Sequence, residues 1–407
     1  MAEYSKVTEA LLGRRRWLRQ VSMASLGSLV PLGCQREAPA PTAESLELNE
    51  MRFPGKIPMR VINSRPPCLE TPWRYFRSDF TPNEAFYVRW HLQMLPTEVD
   101  PRRWRLTVGG EVKQPLRLSL RELREFEPVT IAAVNQCSGN SRALADPRVP
   151  GAQWENGAMG NARWTGVPLE TLLERAGIKA GAVEVTFRGL DRGGIQSVPD
   201  FVRSLKVELA LDSDILVAYA MNGEPLPMLN GFPARLVVPG WYATWWIKSL
   251  SEITVVDKPF TGFWMDKAYR IPTTPNAVET PDNLATETVP ISRMNVRSFF
   301  TFPDQGTVVT RHQPCSLEGF AFDGGSGIRL VELSADSGKT WQAAKLGTDH
   351  GNYSFRRWHH DWTPTPGRHV LLVRATSNKG EQQPLEPGWN HAGYMRNVVE
   401  QLALTVS

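Results

Sequence analysis

The sequence predicts an α+β protein, a mixed α/β body followed by an all-β sandwich of immunoglobulin-like type. Three observations carry that reading. The chain has 407 residues, which at about 100 to 200 residues per domain corresponds to two or three globular domains. Between about Phe53 and Pro281, short β-like runs such as Trp104 to Val108, Val183 to Phe187 and Arg235 to Val238 alternate with helical stretches. From about Val289 to Ser407 the texture changes to alternating strands punctuated by Gly and Pro, over a length suited to one sandwich. Composition agrees: 41% hydrophobic and 22% charged residues, with 32 Gly and 32 Pro, exclude a disordered tail, a collagen and a coiled coil. The formal charge is +4, but residues 1–45 hold six bases and four acids, leaving 40 bases against 38 acids. A body at +2 is no polyanion binder by bulk charge, which excludes nucleic acid as a partner.

The N-terminus reads as an address. Arg14-Arg15-Arg16-Trp17-Leu18-Arg19 precedes the apolar run Val21 to Leu32, too short to span a bilayer, where about 20 residues are needed. Paired arginines before a weakly hydrophobic stretch resemble a twin-arginine signal, which exports proteins already folded around a cofactor to the periplasm. Gly27, Pro31 and Gly33 argue against a helix belonging to the mature chain. Leu32-Gly33-Cys34, followed by the Pro-rich stretch Gln35 to Ser45, resembles a lipoprotein cleavage site with Pro31 where Leu is usual. Cys34 is therefore expected either to carry a lipid anchor or to leave with the signal. No other run of 18 apolar residues occurs, so the chain is expected not to span a membrane. The expected organisation is an export signal and linker over 1–45, a catalytic body over 46–284 and a β-sandwich over 285–407.

In the body, one helix is clear: Leu169, Leu172, Leu173 and Ala176 share a face, Pro168 sits just before it and Gly177 stops it. In the C-terminal part, strands are expected at Ile328 to Ser334, Trp341 to Ala344, Tyr353 to Trp358 and His369 to Thr376, with a hairpin turn at Asp336-Ser337-Gly338.

Four cysteines stand at 34, 68, 137 and 315, with no CxxC or CxxCH spacing, which argues against a zinc ribbon, a thioredoxin motif and a covalently attached haem. Cys68 and Cys315 are expected to be free. A lone cysteine is by default a small buried hydrophobe. Cys137 differs in its setting, because the apolar run Val129 to Val134 leads into it and the Gly-containing loop Ser138-Gly139-Asn140-Ser141-Arg142 follows. A thiolate at the end of a strand, with arginines nearby to lower its pKa, suits a heavy transition metal. The histidines at 312, 350, 359, 360, 369 and 391 show no metal-binding spacing and read as ordinary surface or core residues.

Gln136-Cys137-Ser138-Gly139-Asn140-Ser141-Arg142, then Trp154 and Gly157-Ala158-Met159-Gly160-Asn161-Ala162-Arg163-Trp164-Thr165-Gly166, resemble the molybdenum-ligand segment of the sulfite oxidase family of molybdopterin enzymes. Further blocks match in order: Tyr87-Val88-Arg89-Trp90-His91, Phe187-Arg188-Gly189-Leu190-Asp191, and Met221 to Pro227 leading into Asn230-Gly231-Phe232-Pro233-Ala234-Arg235. Val238-Pro239-Gly240 and Ile247-Lys248 follow. Ser334 to Trp341 and Trp389-Asn390-His391-Ala392-Gly393 resemble the family's dimerisation domain. So many ordered blocks over about 70 to 400 are far more specific than any one motif.

The resemblance implies a molybdopterin-binding domain followed by an immunoglobulin-like dimerisation domain, with molybdenum and molybdopterin as cofactors. It makes Cys137 the metal ligand, and it sets Arg89, Arg142 and Tyr269 around an oxyanion substrate. It assigns Tyr87, Val88, Arg89, Trp90, His91, Asp191, Asn230, Arg235, Trp246, Ile247 and Lys248 to the pterin and its phosphate, with backbone at Trp246 and Ile247 as donors. Independent chemistry agrees, since sulfite carries up to two negative charges and its pocket needs fixed cations and donors. The chain departs from animal and plant members at Asn230, where they have His, and from animal members at Ala392, where they have Arg. Residues 1–52 contain no His, so no haem is expected in this chain and a c-type cytochrome, free or as a haem subunit, is the expected electron acceptor. The implied activity is a periplasmic sulfite dehydrogenase, either a homodimer or paired with a cytochrome subunit. A reductase of sulfoxides or related oxo-substrates is the alternative.

Overall fold

The computed structural model describes residues 51–195, 197–311 and 313–407; the export segment and Cys34 lie outside the described residues. Strands β1 (Arg60–Ser64), β2 (Pro67–Glu70) and β3 (Val88–Arg89) form a small antiparallel sheet. A five-stranded sheet places β4 (Leu106–Gly110) between β5 (Leu116–Leu118) and β13 (Leu250–Val256), then continues through β8 (Glu184–Gly189) to β9 (Val202–Lys206). Only the β4–β13 pair in it is parallel. In the other large sheet, β6 (Val129–Gln136), β7 (Met159–Pro168) and β10 (Leu216–Met221) lie side by side, with β11 (Glu224–Pro225) and β12 (Arg235–Val237) both against β10. The pair β14 (Arg270–Pro272) and β15 (Thr288–Pro290) leads out of this body.

Helix α1 (Leu169–Ala176) buries Leu169, Leu172, Leu173 and Ala176, follows Pro168 and ends on Gly177 at φ 68°, as its sequence pattern requires. The other helical segments among the described residues are single turns such as Trp73–Arg77 and Leu120–Leu123. The body is therefore richer in strand than its local patterns suggest. Helices of a few residues are marginal on their own, and here the sheets take up the backbone hydrogen bonds instead.

The C-terminal sandwich stacks two sheets. In one, β16 (Arg297–Phe302), β18 (Cys315–Phe322), β22 (Arg356–Trp362) and β21 (Lys345–Leu346) are neighbours in that order. The other runs β17 (Val308–Val309), β24 (Glu400–Val406), β23 (Gly367–Ser377), β19 (Ile328–Ser334) and β20 (Gln342–Ala343). The predicted strand Ile328–Ser334 is β19, His369–Thr376 lies inside β23, and Ser337 and Gly338 make the turn from β19 to β20 with positive φ. The strand expected at Tyr353–Trp358 begins later, at Arg356. Phe355 is drawn out of that register to stack on Phe320, with ring centroids 4.0 Å apart.

Period-two alternation puts two cores on either side of one sheet. Phe299, Phe320 and Phe322 join the core of the N-terminal body, whereas Phe300, Leu317 and Ala321 face the sandwich interior. The body and the sandwich thus share apolar contacts, and the described residues from 51 to 407 belong to one compact unit. Arg297 reinforces this junction. It is fully buried, donates from Nη2 to Glu400 Oε1 at 2.7 Å and from Nη1 to Ser141 Oγ at 3.1 Å, and lies over Phe299. Ser141 belongs to the loop after Cys137, so a sandwich residue props the loop that follows this cysteine. Removing one partner of a buried ion pair strands the other, so Arg297→Ala is expected to cost about 3–5 kcal/mol, read as a lowered denaturant midpoint.

Candidate functional site

One pocket gathers most of the residues singled out in the sequence. Its first wall is the extended stretch 87–91, where alternation decides which side chains face inward. Tyr87, Arg89 and His91 line the pocket, while Val88 and Trp90 pack on the opposite side with Met59 and Leu69. Val88 and Trp90 therefore hold this wall in place and do not line the pocket.

Cys137 lies one residue beyond β6 and is 7% exposed. Its amide donates to the Ala158 carbonyl at 2.9 Å, and its carbonyl accepts from Asn140. Asn140 Oδ1 in turn accepts from the Ala158 amide at 2.9 Å. These bonds fix the loop backbone and leave the thiol facing the pocket beside Asn135 and Ser138.

The second wall comes from the 229–248 region. Gly231, at φ 110°, lets the chain pass against Lys248, where an added Cβ would sit 3.1 Å from the Lys248 Cα. Asn230, Arg235 and Lys248 line the pocket. Arg235 donates to the carbonyls of Asn230 (2.9 Å) and Trp246 (3.2 Å) and packs against the rings of both Trp164 and Trp246. Burial lowers its pKa to about 10, and it remains a cation at neutral pH. Burial and the neighbouring Arg235 also push Lys248 down, against the pull of Asp191. Asp191 is buried behind this wall, with its pKa raised by burial and opposed by Lys248. The Trp246 amide donates to the Ala243 carbonyl at 3.0 Å, and the Ile247 carbonyl accepts from Leu236. The Trp246 amide is thus engaged within the fold rather than held free as a donor.

The third wall carries Tyr269, at φ 56° and stacked on Tyr394 with centroids 5.7 Å apart. Its hydroxyl makes a short contact with His91 Nε2. Burial, reinforced by Arg89, Lys248 and Arg203, holds the His91 pKa well below its usual value, so the ring is neutral at physiological pH. For Arg89, burial would depress the pKa, but Tyr269, Cys68 and Cys137 outweigh it and the guanidinium is held more firmly protonated than usual.

Arg142 sits elsewhere. It lines the adjoining cleft with Trp389, Asn390 and Tyr394, donating to the carbonyls of Ala392 (2.9 Å) and Ala152 (3.2 Å) and lying over the Tyr394 ring. In this structure Nε and Nη1 are bonded to protein carbonyls, and its charge acts on Tyr269 and Tyr394 from the adjoining cleft.

Several pocket residues escaped the sequence reading. Asn135 accepts from the Tyr87 hydroxyl at 2.6 Å; it lies two residues before Cys137, so strand alternation alone could have found it. Lys56 donates to Asn230 Oδ1 (2.6 Å) and to the carbonyls of Asn83 and Phe86, tying the N-terminal stretch to the pocket wall. Burial lowers its pKa to about 7. Nothing in its local sequence marks it. Cys68 and Cys315 are free, and Cys68 lies opposite Arg89 in the β2–β3 register.

Among the described residues, no cluster of three or more His, Cys, Asp or Glu side chains is placed to hold a metal. A metal at Cys137 would therefore draw its other ligands from a non-protein group. The donor set fits such a group if it is anionic. Asn135 Nδ2, Ser138 Oγ, Thr244 Oγ1 and Arg235 Nε are buried without a hydrogen-bond partner. Arg235, moreover, has no carboxylate acting on it. Orphaned donors and an uncompensated cation around one thiol describe a cradle for a phosphate-bearing, metal-chelating cofactor.

Comparison with known proteins agrees. The family described as "Oxidoreductase molybdopterin binding domain" matches residues 91–264, and the "Mo-co oxidoreductase dimerisation domain" matches 288–406. The human mitochondrial sulfite oxidase is 31% identical, over 90% of this chain and 69% of its own length. Chicken sulfite oxidase is 32% identical, over 95% of this chain and 85% of its own. A tomato NADH nitrate reductase is 31% identical, but this chain covers only 40% of it. Among solved structures, the sulfane dehydrogenase SoxCD from Paracoccus pantotrophus superposes with a TM-score of 0.71 over 93% of both chains at 24% identity, a likeness of fold.

Proposed function

The chain belongs to the sulfite oxidase family of molybdopterin-dependent oxidoreductases, and on that premise we propose that it is a periplasmic sulfite dehydrogenase. The observation that carries the reading is the pocket itself: Arg89, firmly protonated, converges with the Tyr269 hydroxyl and neutral His91 on the cavity that Cys137 faces. A small oxyanion meets there a fixed positive charge and a hydrogen-bond donor, whereas a neutral sulfoxide would call for fewer cations and more apolar wall.

The net reaction joins sulfite and water to give sulfate, two protons and two electrons. Molybdenum and its pterin, when bound, supply the two-electron chemistry. Cys137 would hold the metal through its thiolate, and Arg235 with Lys248 would hold the pterin phosphate, with Tyr87, Asn135 and Asn230 shaping that side of the cradle. Arg89 binds and orients the anion. Neutral His91 accepts from the Tyr269 hydroxyl or donates to it, and either arrangement fixes the phenol where it meets a substrate oxygen. Electrons would leave singly to a c-type cytochrome, either a soluble acceptor or a haem subunit. The paired arginines near the N-terminus support export by the twin-arginine route, with Cys34 as the candidate lipid anchor, and the sandwich would form a homodimer. No helix among the described residues is long and apolar enough to cross a membrane.

Arg89→Met tests the anion site. It should raise the Michaelis constant for sulfite by at least about tenfold while molybdenum content is retained, because the lost charge serves binding. An unchanged constant would remove Arg89 from the site. Assays with a sulfoxide and with sulfite on the same sample decide the direction: reduction of the sulfoxide without sulfite oxidation would favour the reductase alternative.

A further inference from the structure

Arg203 has no assigned work in the site described above, yet it is the most fully enclosed cation beside it. It sits on β9 opposite Phe187 and is 0% exposed. Its guanidinium carbon lies 4.0 Å from the ring centre of Trp245 and 6.0 Å from that of Tyr269, and Nη1 donates to the Trp264 carbonyl. Nε and Nη2 are buried and have no partner. The groups that act on it electrostatically are Tyr269, Tyr394 and Arg270, with no carboxylate among them. Enclosing a charge without a counter-charge is costly unless something opposite in sign arrives.

The position of Arg203 indicates what arrives. The aromatic wall that covers it is shared with the pocket: Phe201, two residues earlier, stacks on His91 at 3.9 Å, and Trp264 packs on both Phe201 and His91. Of the cations that line the pocket, Arg235 and Lys248 stand on the cofactor side, while Arg142, in the next cleft, reaches Tyr269 through its field. Arg89 is thus the one cation lining the pocket on the side of Tyr269 and His91, against a substrate with up to two negative charges. We propose that Arg203 is a positioning residue of the anion site: from behind Tyr269 and His91 it adds to the positive charge that a doubly charged sulfur oxyanion meets, and it does so through the aromatic wall rather than by contact. Low-dielectric aromatic packing between the two transmits that field with little screening. The inference rests on the reading of the pocket as a small-oxyanion site.

The test uses the molybdenum-loaded enzyme, with sulfate as a non-reacting probe. For Arg203→Met, both the sulfite Michaelis constant and the sulfate dissociation constant measured by calorimetry are expected to rise about tenfold, with kcat within about twofold and molybdenum content unchanged. Arg203→Lys, which keeps the charge, should return both constants to within about threefold of the wild type. Should the methionine variant not fold, Arg203→Gln retains a donor for the Trp264 carbonyl and carries the same comparison. A neutral variant with wild-type constants, or one that loses kcat and molybdenum with the Michaelis constant unchanged, overturns the proposal. A lysine variant as impaired as the neutral one also overturns it. A wild-type enzyme that neither binds sulfate nor oxidises sulfite would instead contradict the reading of the pocket.

Discussion

Cys137→Ser should abolish turnover while leaving the fold intact. The side chain is buried at the end of β6, and its backbone is held by Ala158 and Asn140, so exchanging sulfur for oxygen disturbs little of the packing. The metal would, by contrast, lose the soft thiolate proposed to hold it, for which a hydroxyl is a poor substitute. Loss of a residue that merely orients a ligand costs about 10–100-fold, and loss of the ligand itself should exceed that. The measurement is sulfite-dependent turnover beside thermal unfolding: activity at least about a hundredfold lower with an unchanged melting temperature is expected. Retention of full molybdenum-dependent activity would remove Cys137 from the metal.

Arg235→Ala should empty the cradle. The guanidinium is buried beside Trp164 and Trp246, bonds two carbonyls and keeps its Nε buried without a partner. Truncating one partner of a buried, hydrogen-bonded charge pair costs about 2–5 kcal/mol, or roughly 30- to 5,000-fold in affinity. The purified variant should therefore carry a small fraction of the wild-type molybdenum per chain. Because the carbonyls of Asn230 and Trp246 also lose their donor, some loss of stability should accompany it. Arg235→Lys, which keeps the charge but not the fork, should recover part of the cofactor. An alanine variant with full molybdenum content would place the phosphate elsewhere.

How much of this was legible in the sequence varies with the physics of each feature. Helix α1 and strand β19 were readable because one local period, with proline and glycine as punctuation, determines them. The extended stretch 87–91 carries its pocket face in its alternation, and Cys137 stands out as a polarisable residue where a strand becomes a loop. The strand after Tyr353 was misplaced because a single long-range contact, Phe355 on Phe320, overrides local preference. Arg142 could be read as a charge near the loop, but not as one bonded to Ala392, 250 residues further along the chain. Lys56 and Arg203 were invisible for a related reason. A charged residue beside hydrophobic neighbours ordinarily reads as a solvated side chain, and only the folded chain shows the carbonyls around one and the tryptophans around the other.

The most direct test is the rate of sulfite-dependent cytochrome c reduction by the purified mature protein, with molybdenum and product sulfate determined on the same sample. The account predicts about one molybdenum per chain and one sulfate formed for every two cytochromes reduced. A protein loaded with molybdenum that yields no sulfate from sulfite, with the cytochrome acceptor present, would contradict it.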